Sequence, residues 1–258
     1  MPQRLPVLIA SLLFIAGLGA FVLLLRLATP EPVPPPPPVV LPPPSPTETA
    51  DQILERKRLF IALLLPVIQA ENRRLLQARE RISRIEQELA NDEDIGKDDF
   101  DWLKQTAGDY ELDPKARRNS EFFHSLRSRV DIVPASLIIA QAALESGWGR
   151  SQVTRENNNF FGHYCFGKDC GVPAPGAGDL RTFASADESV RAYIHNINSH
   201  PAYRHLRKSR QETRNSGRAA RGSQLAEHIK AYSERGDAYI ADVLAVIRAN
   251  RLDELPDT

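Results

Sequence analysis

The sequence has few of the residues that build metal sites. It contains two cysteines, Cys165 and Cys170, and six histidines in 258 residues. A zinc site needs further cysteine or histidine ligands at suitable spacing, and no HExxH pattern occurs in the chain. We therefore predict that the protein binds no metal, and no motif indicates another cofactor.

An excess of charge of one sign is also absent. The chain has 33 basic and 33 acidic residues, so its formal net charge is zero. Domains dedicated to nucleic-acid binding are usually basic overall, which argues against a nucleic acid as partner. The length is compatible with one domain of about 150 residues plus appendages, or with two small domains.

A run of residues near the amino terminus contains no charged side chain. No charged residue occurs between Leu5 and Leu25, and a helix of that length spans roughly 32 Å, the thickness of a bilayer's hydrocarbon core. We predict a transmembrane anchor within residues 1–28, with residues 5–27 in the membrane. A cleaved signal peptide is the alternative, although its apolar core is usually about 7–15 residues long. Either interpretation places the remaining chain outside the cytoplasm.

Proline is concentrated in one segment. Residues 30–46 contain 11 prolines in 17 positions, which favours an extended polyproline II spacer of about 3.1 Å per residue. We predict a semi-rigid linker over residues 29–50. Outside the cytoplasm Cys165 and Cys170 are candidates for a disulfide that closes a small loop.

A helical pattern rich in charge follows the linker. Pro66 is expected to mark a join or kink between two helices. The second helix carries an apolar residue every seven positions, at Ile68, Leu75, Ile82 and Leu89. The repeat is short for a coiled coil and is interrupted at residues 71 and 72, so packing on the following domain is favoured. We assign residues 51–112 to an N-terminal helical region.

The main domain is predicted at residues 113–252, with residues 253–258 as a tail. Helix starts are indicated by capping signals at Pro134, Ser185, Ser223 and Asp237. The apolar stripes of these helices are one-sided, so the helices share a core. The helical pattern breaks between residues 160 and 183, which predicts a small β lobe. The fold class is therefore α+β, mainly helical.

A basic stretch lies within this domain, at residues 203–222. It holds seven Arg or Lys and one Glu. We interpret it as a solvated, mobile loop; contact with a polyanion, such as the carboxylates of peptide stems, is the alternative.

The segment AALESGWGRS, residues 142–151, ends an apolar helix with an acidic side chain. Glu145 lies one turn after Gln141 on a largely apolar face, at the negative end of the helix dipole. Desolvation and the dipole both disfavour the ionised carboxylate, so we expect a raised pKa. Such a carboxyl group suits a general acid; an exposed residue at a helix end is the alternative. Gly147 is expected to end the helix in a left-handed turn.

Three segments carry a resemblance to a known family: AQAALESGWGRS (140–151), NNFFG (158–162) and SERGDAYIADV (233–243). They resemble the glucosaminidase domain of bacterial cell-wall hydrolases, glycoside hydrolase family 73, and most closely its Bax-type branch. The similarity covers roughly residues 115–252, and the helical region from Lys57 onward is similar too. It implies a lysozyme-like fold that hydrolyses the β-1,4 bond after N-acetylglucosamine in the glycan strands of peptidoglycan. An anchored chain would then hold this domain in the periplasm.

The resemblance also implies roles for individual residues. Glu145 matches the general acid, and Tyr239 matches a tyrosine that lines the cleft. Tyr239 lies off the apolar stripe of its helix, so we expect its hydroxyl to be free for substrate. The family's second acidic residue, commonly a glutamate on a mobile β-hairpin, is best matched by Asp179, whose side chain is one carbon shorter.

The remaining candidates are substrate-binding residues. They are Trp148, as a stacking surface for a sugar ring with Gly149 leaving room for a chain to approach, and Asn158, Asn159, Phe161 and Gly162 of the NNxFG segment. The amides suit acetamido or hydroxyl groups, whereas the aromatic ring of Phe161 is expected to pack. A lytic transglycosylase and a non-catalytic glycan-binding scaffold remain as alternative functions.

Overall fold

The computed structural model describes residues 41–117, 119–165, 171–173 and 178–258. These residues belong to one compact unit, Val39–Thr258. The predicted anchor and the first part of the predicted linker lie outside the described residues. Among the helices that are described, none is both long and apolar enough to cross a membrane.

The described part of the chain is mainly helical with a small sheet, which confirms the predicted α+β class. The α-helices are α1 (Ala50–Ala90), α2 (Lys97–Asp109), α3 (Ser120–Arg129), α4 (Ala135–Ser146), α5 (Gln152–Asn157), α6 (Ala186–Ser199), α7 (Arg204–Asn215), α8 (Gly222–Leu225) and α9 (Asp237–Ala249). The strands are β1 (Tyr164–Cys165), β2 (Gly171–Pro173) and β3 (Asp179–Arg181). Short 3-10 turns cover Pro114–Ala116, Pro201–Tyr203, Ala226–His228, Lys230–Tyr232 and Leu252–Glu254.

Helix α1 is one continuous helix of 41 residues, started by a capping box between Thr49 and Gln52. Pro66 lies inside it, so the predicted join between two helices is wrong. The predicted packing on the following domain is confirmed, because α1 packs against α3, α4 and α6. Its buried apolar stripe comprises Phe60, Leu64, Ile68, Leu75, Ile82 and Ile85.

The two polar residues that interrupt this stripe are buried anchors. The amide nitrogen of Asn72 donates to the carbonyl oxygens of Val133 (3.0 Å) and Asp257 (2.9 Å). Glu71 is ion-paired with Arg74, at 2.6 Å, and with Arg191 of α6, at 3.5 Å. A buried polar group is costly unless it is hydrogen-bonded, and these partners remove that cost.

Helix α4 is the centre of the molecule. It is buried over nearly its whole length and packs against α1, α8 and α9. Such a helix has no solvated polar face, which explains why Ser136 and Gln141 are the only polar residues before Glu145 in it. No side chain of the adjoining residue caps its amino end; instead the backbone N–H of Ala135 donates to the carboxylate of Asp257, at 2.7 Å. The predicted tail is therefore part of the fold.

The sheet is antiparallel, with strand order β1-β3-β2. Tyr164 pairs with Leu180, which also pairs with Val172. This confirms the predicted small β lobe between residues 160 and 183. The backbone N–H of Phe183 donates to the carbonyl of Asn157, at 2.9 Å, which ties the lobe to the end of α5.

Other predicted elements differ from the structure. The helix expected from Ser223 is only the four residues of α8, followed by 3-10 turns. The basic stretch at 203–222 is not a mobile loop over its first part, because it forms α7. Arg210 is fully buried there, and Arg214 donates to the buried carboxylate of Asp131. Tertiary contacts with a buried acid thus fold a segment whose composition suggested disorder.

The end of the proline-rich linker is docked and is not a free spacer. Glu48 is almost fully buried and accepts from Arg56 Nε of α1, at 2.9 Å, and from Arg150 Nη1, at 3.0 Å. Arg56 also donates to the carbonyl of Pro42, at 2.8 Å, and Arg150 to that of Ser45, at 3.1 Å. This segment, residues 41–48, is called the linker end below.

Candidate active site

A cleft of about 1600 Å³ opens beside the carboxyl end of α4. Its walls come from the β lobe, from α6 and from the segment before α9. The N-terminal helical region also contributes, with Arg74 of α1 and Trp102 of α2 among the lining residues. Glu145 lines the cleft, so the residue predicted as a general acid faces a space that can hold a substrate.

Glu145 is exposed to solvent and lines the cleft. Desolvation by the surrounding walls raises the pKa of its carboxyl group, against smaller lowering effects from the Tyr239 hydroxyl and from Arg235. The predicted direction is confirmed, with desolvation as the cause. No ion pair to Glu145 forms within the described part of the chain, so the group keeps a proton more readily than an ordinary glutamate.

The turn after Glu145 begins with Gly147 in the predicted left-handed conformation. Gly147 has φ +59°, the left-handed conformation that glycine adopts without strain, and ends α4. The next N–H, that of Trp148, donates to the carbonyl of Ala143 at 2.9 Å. Ser146 adds a bond from its hydroxyl to the carbonyl of Ala142, at 2.6 Å. These bonds fix the backbone on both sides of the acid.

Trp148 and Gly149 lie against α1 and the linker end. The Trp148 ring meets Phe60 edge-on at 5.6 Å, and Lys57 lies 5.0 Å from its centroid. Trp148 is not among the described residues that line the cleft. At Gly149 an added Cβ would lie 2.4 Å from Leu41 of the linker end. The chain that approaches this glycine is therefore the protein's own. The stacking of a sugar on Trp148 stays a prediction.

Tyr239 is buried and contacts Glu145 directly. Its hydroxyl donates to Glu145 Oε1, at 2.8 Å, and accepts from Gln141 Nε2, at 3.0 Å. The expectation of a free hydroxyl is wrong, because α9 packs on α4 and turns the ring inward. Burial and the neighbouring Glu145 raise the pKa of Tyr239 far above its usual range, so the hydroxyl stays protonated and donates.

Phe161 and Gly162 do line the cleft. The Phe161 ring stacks on Tyr193 of α6 with centroids 4.3 Å apart, which confirms the packing expected of it. Its carbonyl accepts from the Tyr232 hydroxyl, at 2.9 Å. At Gly162, where φ is +66°, an added Cβ would lie 3.6 Å from Glu145 Oε2. A glycine here keeps the space next to this oxygen open.

The two asparagines tie the β lobe together. Asn159 is buried and donates to the carbonyls of His163 and Arg181, both at 2.9 Å, while its own oxygen accepts from the His163 N–H at 3.0 Å. Asn158 donates to the carbonyl of Phe183, at 3.1 Å. Both N–H groups of the Asn159 amide are occupied by backbone carbonyls, whereas Asn158 uses one of its two. The predicted contact of Asn158 with acetamido or hydroxyl groups stays a prediction.

Asp179 lies on β3, exposed, and is not among the described residues that line the cleft. Glu234, which the sequence did not single out, does line the cleft, and its neighbour Arg235 acts on the charge of Glu145. The loop before α9 thus brings a second carboxylate into the cleft that Glu145 faces.

His163 is a further ionisable residue in the wall of the cleft. Burial, helped by Arg181, lowers the pKa of His163 to about 4, so its imidazole is neutral at physiological pH. Cys165 is disulfide-bonded. Cys170 lies outside the described residues, so the pairing of the two cysteines stays a prediction. Within the described residues no cluster of His, Cys, Asp and Glu side chains has the form of a metal site.

Sequence reasoning missed the residues behind the acid, Gln141 and Tyr193. Gln141 is fully buried in α4, and Tyr193 donates to its Oε1 at 2.5 Å. One signal was available, because Gln141 is the only side-chain amide in a mostly apolar helix and lies one turn before Glu145. Nothing in the sequence indicated that Tyr193, 52 residues away, completes the contact.

Comparison with known proteins agrees with these observations. The chain is 33% identical over 198 residues to Protein bax of Escherichia coli (strain K12), an alignment covering 76% of this chain and 70% of that protein. No solved structure matches the chain. The model of the glucosaminidase family, described as mannosyl-glycoprotein endo-beta-N-acetylglucosaminidase, matches residues 120–252, which contain Glu145 and Tyr239. The chain therefore belongs to the glucosaminidase family and carries a domain of the glycoside hydrolase type.

Proposed function

We propose that this protein is an endo-β-N-acetylglucosaminidase that hydrolyses the β-1,4 bond after N-acetylglucosamine in peptidoglycan. Glu145 is the general acid. One observation carries the proposal: a desolvated carboxyl group, hydrogen-bonded by a buried tyrosine, lines a cleft large enough for several sugar rings. Family membership restricts the reaction class, and the proposed lysozyme-like fold is consistent with the helical body and small sheet.

In the proposed reaction, Glu145 donates its proton to the glycosidic oxygen while the bond to the sugar carbon breaks. The leaving sugar departs as an alcohol, and positive charge develops on the remaining ring. Glu145 becomes a carboxylate at this point. The Tyr239 hydroxyl already points at Oε1 and stabilises the new negative charge without rearrangement.

The second carboxylate has two candidates. Asp179 is the residue implied by the family resemblance, and it lies exposed on β3. Glu234 lines the cleft. A second carboxylate acts as nucleophile at a separation of about 5–5.5 Å from the acid, or activates water at about 6.5–9.5 Å. In a third route the 2-acetamido group of the substrate is the nucleophile, and no second carboxylate forms a bond.

Purified sacculi provide the test. We would digest them with the full-length protein and identify the new chain ends by mass spectrometry. The proposal expects reducing N-acetylglucosamine ends, and far slower formation of them with Glu145→Gln. Anhydro-muramyl ends would instead identify a lytic transglycosylase. Binding to sacculi without new ends of any kind would identify a glycan-binding scaffold and contradict the enzymatic proposal.

We also propose that residues 5–27 anchor the chain in the inner membrane, with the catalytic domain in the periplasm. The uncharged run and the proline-rich segment support this arrangement. Cell fractionation with protease treatment of spheroplasts tests it. We expect a membrane-bound, full-length protein that external protease digests. A shortened protein in the periplasmic fraction would show that the segment is cleaved.

A further inference from the structure

Four side chains form a chain of hydrogen bonds that ends on Glu145. The Tyr193 hydroxyl donates to Gln141 Oε1, at 2.5 Å, and Gln141 Nε2 donates to the Tyr239 oxygen, at 3.0 Å. Tyr239 then donates to Glu145 Oε1, at 2.8 Å. The three helices α6, α4 and α9 each contribute to it. Every bond points the same way, from the core toward the cleft.

The direction of this chain is set at Gln141. Its amide is fully buried, so both the oxygen and the nitrogen need partners inside the protein. Tyr193, also fully buried, has one hydroxyl hydrogen and gives it to the amide oxygen. The amide nitrogen therefore faces Tyr239 as a donor. Since a tyrosine hydroxyl has a single hydrogen, Tyr239 has only Glu145 left to donate to.

The two oxygens of Glu145 differ as a result. Oε1 accepts the Tyr239 hydrogen, whereas Oε2 lies beside Gly162, where the absence of a side chain leaves open space. A carboxylic proton is disfavoured on an oxygen that already receives a hydrogen bond from a fixed donor. It resides on Oε2, which faces the cleft.

We propose that Gln141, held by Tyr193, is a positioning residue that orients the Tyr239 hydroxyl toward Glu145 and thereby places the acid's transferable proton on Oε2, the oxygen beside Gly162. The proposal rests on the proposed function for the statement that this proton is transferred. The orientation of the hydroxyl is independent of that function and is measurable without turnover.

Other groups also influence how Glu145 titrates, and they must remain unchanged in the test. Those that line the cleft with it or act on its charge come from every wall: His163, Tyr164 and Arg181 of the β lobe, Glu188, Arg191 and His195 of α6, His200 and Tyr203 after it, Glu71 and Arg74 of α1, Asp109, Tyr110 and Glu111 at and after the end of α2, and Tyr232, Glu234 and Arg235 before α9. Of these groups only Tyr232 is altered in the variants below, as the control. Tyr232 provides a matched control, because it is a partly buried tyrosine of the cleft wall that stacks on Tyr239 at 5.6 Å and donates to a backbone carbonyl outside the chain of bonds.

The experiment is a titration of Glu145 by NMR in the full-length protein, labelled with carbon-13 at the glutamate carboxyl groups. The Glu145 signal is the one that Glu145→Gln removes. With Gln141→Leu, Tyr239 no longer receives a hydrogen bond and is free to turn from Glu145. Loss of a donor to the carboxylate raises its pKa, so the midpoint moves upward by about one pH unit. Tyr193→Phe gives a smaller shift in the same direction, and Tyr232→Phe gives none.

An unchanged or lowered midpoint in a folded Gln141→Leu protein would overturn the proposal, as would an equal shift in Tyr232→Phe. Should Gln141→Leu not fold, Gln141→Met and Tyr193→Phe test the same point with less change in volume. In the sacculus assay the basic limb of the kcat/KM profile should move upward with the NMR midpoint. If the midpoint moves but sacculi yield no products, the hydroxyl orientation stands and the proposed function fails.

Discussion

Among the glutamates that line the cleft, Glu71 and Glu145 lie in opposite surroundings. Glu71, on α1, is 4% exposed and lies against the guanidinium groups of Arg74 and Arg191. Glu145, at the end of α4, has a tyrosine hydroxyl as its partner and no ion pair among the described residues. A guanidinium keeps its charge at every physiological pH and so favours a charged carboxylate, whereas a neutral hydroxyl tolerates both states. The two carboxyl groups thus differ in their partners, which are two guanidinium groups for Glu71 and a neutral hydroxyl for Glu145.

The largest effect is expected at the acid. Glu145→Gln keeps the shape and removes the proton donor, so turnover of sacculi should fall by about 10²–10⁴-fold. The melting temperature should not fall, because the amide is neutral, as the protonated acid is. Initial rates of reducing-end formation and a thermal unfolding curve measure the two quantities. Turnover equal to that of the wild type would remove Glu145 from its role.

A second carboxylate must be ionised to assist Glu145. Its two candidates, Glu234 and Asp179, therefore extend the comparison of carboxyl groups. Because Glu234 lines the cleft and Asp179 does not, Glu234→Gln should lower turnover by roughly 10–100-fold and Asp179→Asn by less. The two variants are each other's control in the same assay. A larger loss with Asp179→Asn would show that the β lobe supplies the second group. Equal, small losses would favour assistance by the substrate's acetamido group.

Glu71→Gln should lower the stability of the protein, whereas Glu145→Gln should lower its turnover. Removal of the Glu71 carboxylate leaves two arginines without their shared partner, although both are about half exposed and regain water. We expect the free energy of unfolding to fall by about 1–3 kcal/mol. Urea denaturation followed by circular dichroism measures it, with Glu145→Gln as the matched variant. A stability as high as that of the wild type would show that the arginine contacts contribute little.

Asp257 is an intermediate case, a partly buried carboxylate whose partner is a backbone N–H. Asp257→Ala removes the cap from the amino end of α4 and should cost about 0.5–2 kcal/mol of stability. Asp257→Asn keeps an acceptor oxygen and should recover most of the loss. Urea midpoints of the two variants test this, and equal midpoints for alanine and asparagine would exclude the cap.

Much of the fold follows from local signals in the sequence. The left-handed turn at Gly147, the N-cap at Ser185 and the stripe of α1 were all predictable, because capping and periodicity depend on residues within one or two turns. Helix α3, Ser120–Arg129, was not singled out, and the helix from Ser223 was overestimated. Both depend on packing against distant elements.

In the candidate site, too, local features could be predicted and contacts with distant residues could not. The sequence of its own helix was enough to predict Glu145 as a candidate acid and the direction of its pKa shift. The surroundings of Trp148 and Tyr239 could not be predicted in this way, because they are set by residues far away in the chain: Phe60 of α1 covers the tryptophan, and the tyrosine meets Glu145 across 94 positions. A periodic pattern shows that a face is buried, but it does not show which element covers it.

The linker end has a mechanical consequence. Glu48 bridges Arg56 of α1 and Arg150, which follows Glu145 by five residues. Tension applied to the chain ahead of residue 41 would load the bond from Arg56 to the carbonyl of Pro42 first, and then the two ion pairs of Glu48, which join α1 to the loop after the acid. Salt screens exposed contacts such as that of Arg150 more than buried ones. A higher ionic strength would therefore weaken the contact of the linker end with the loop that contains Arg150.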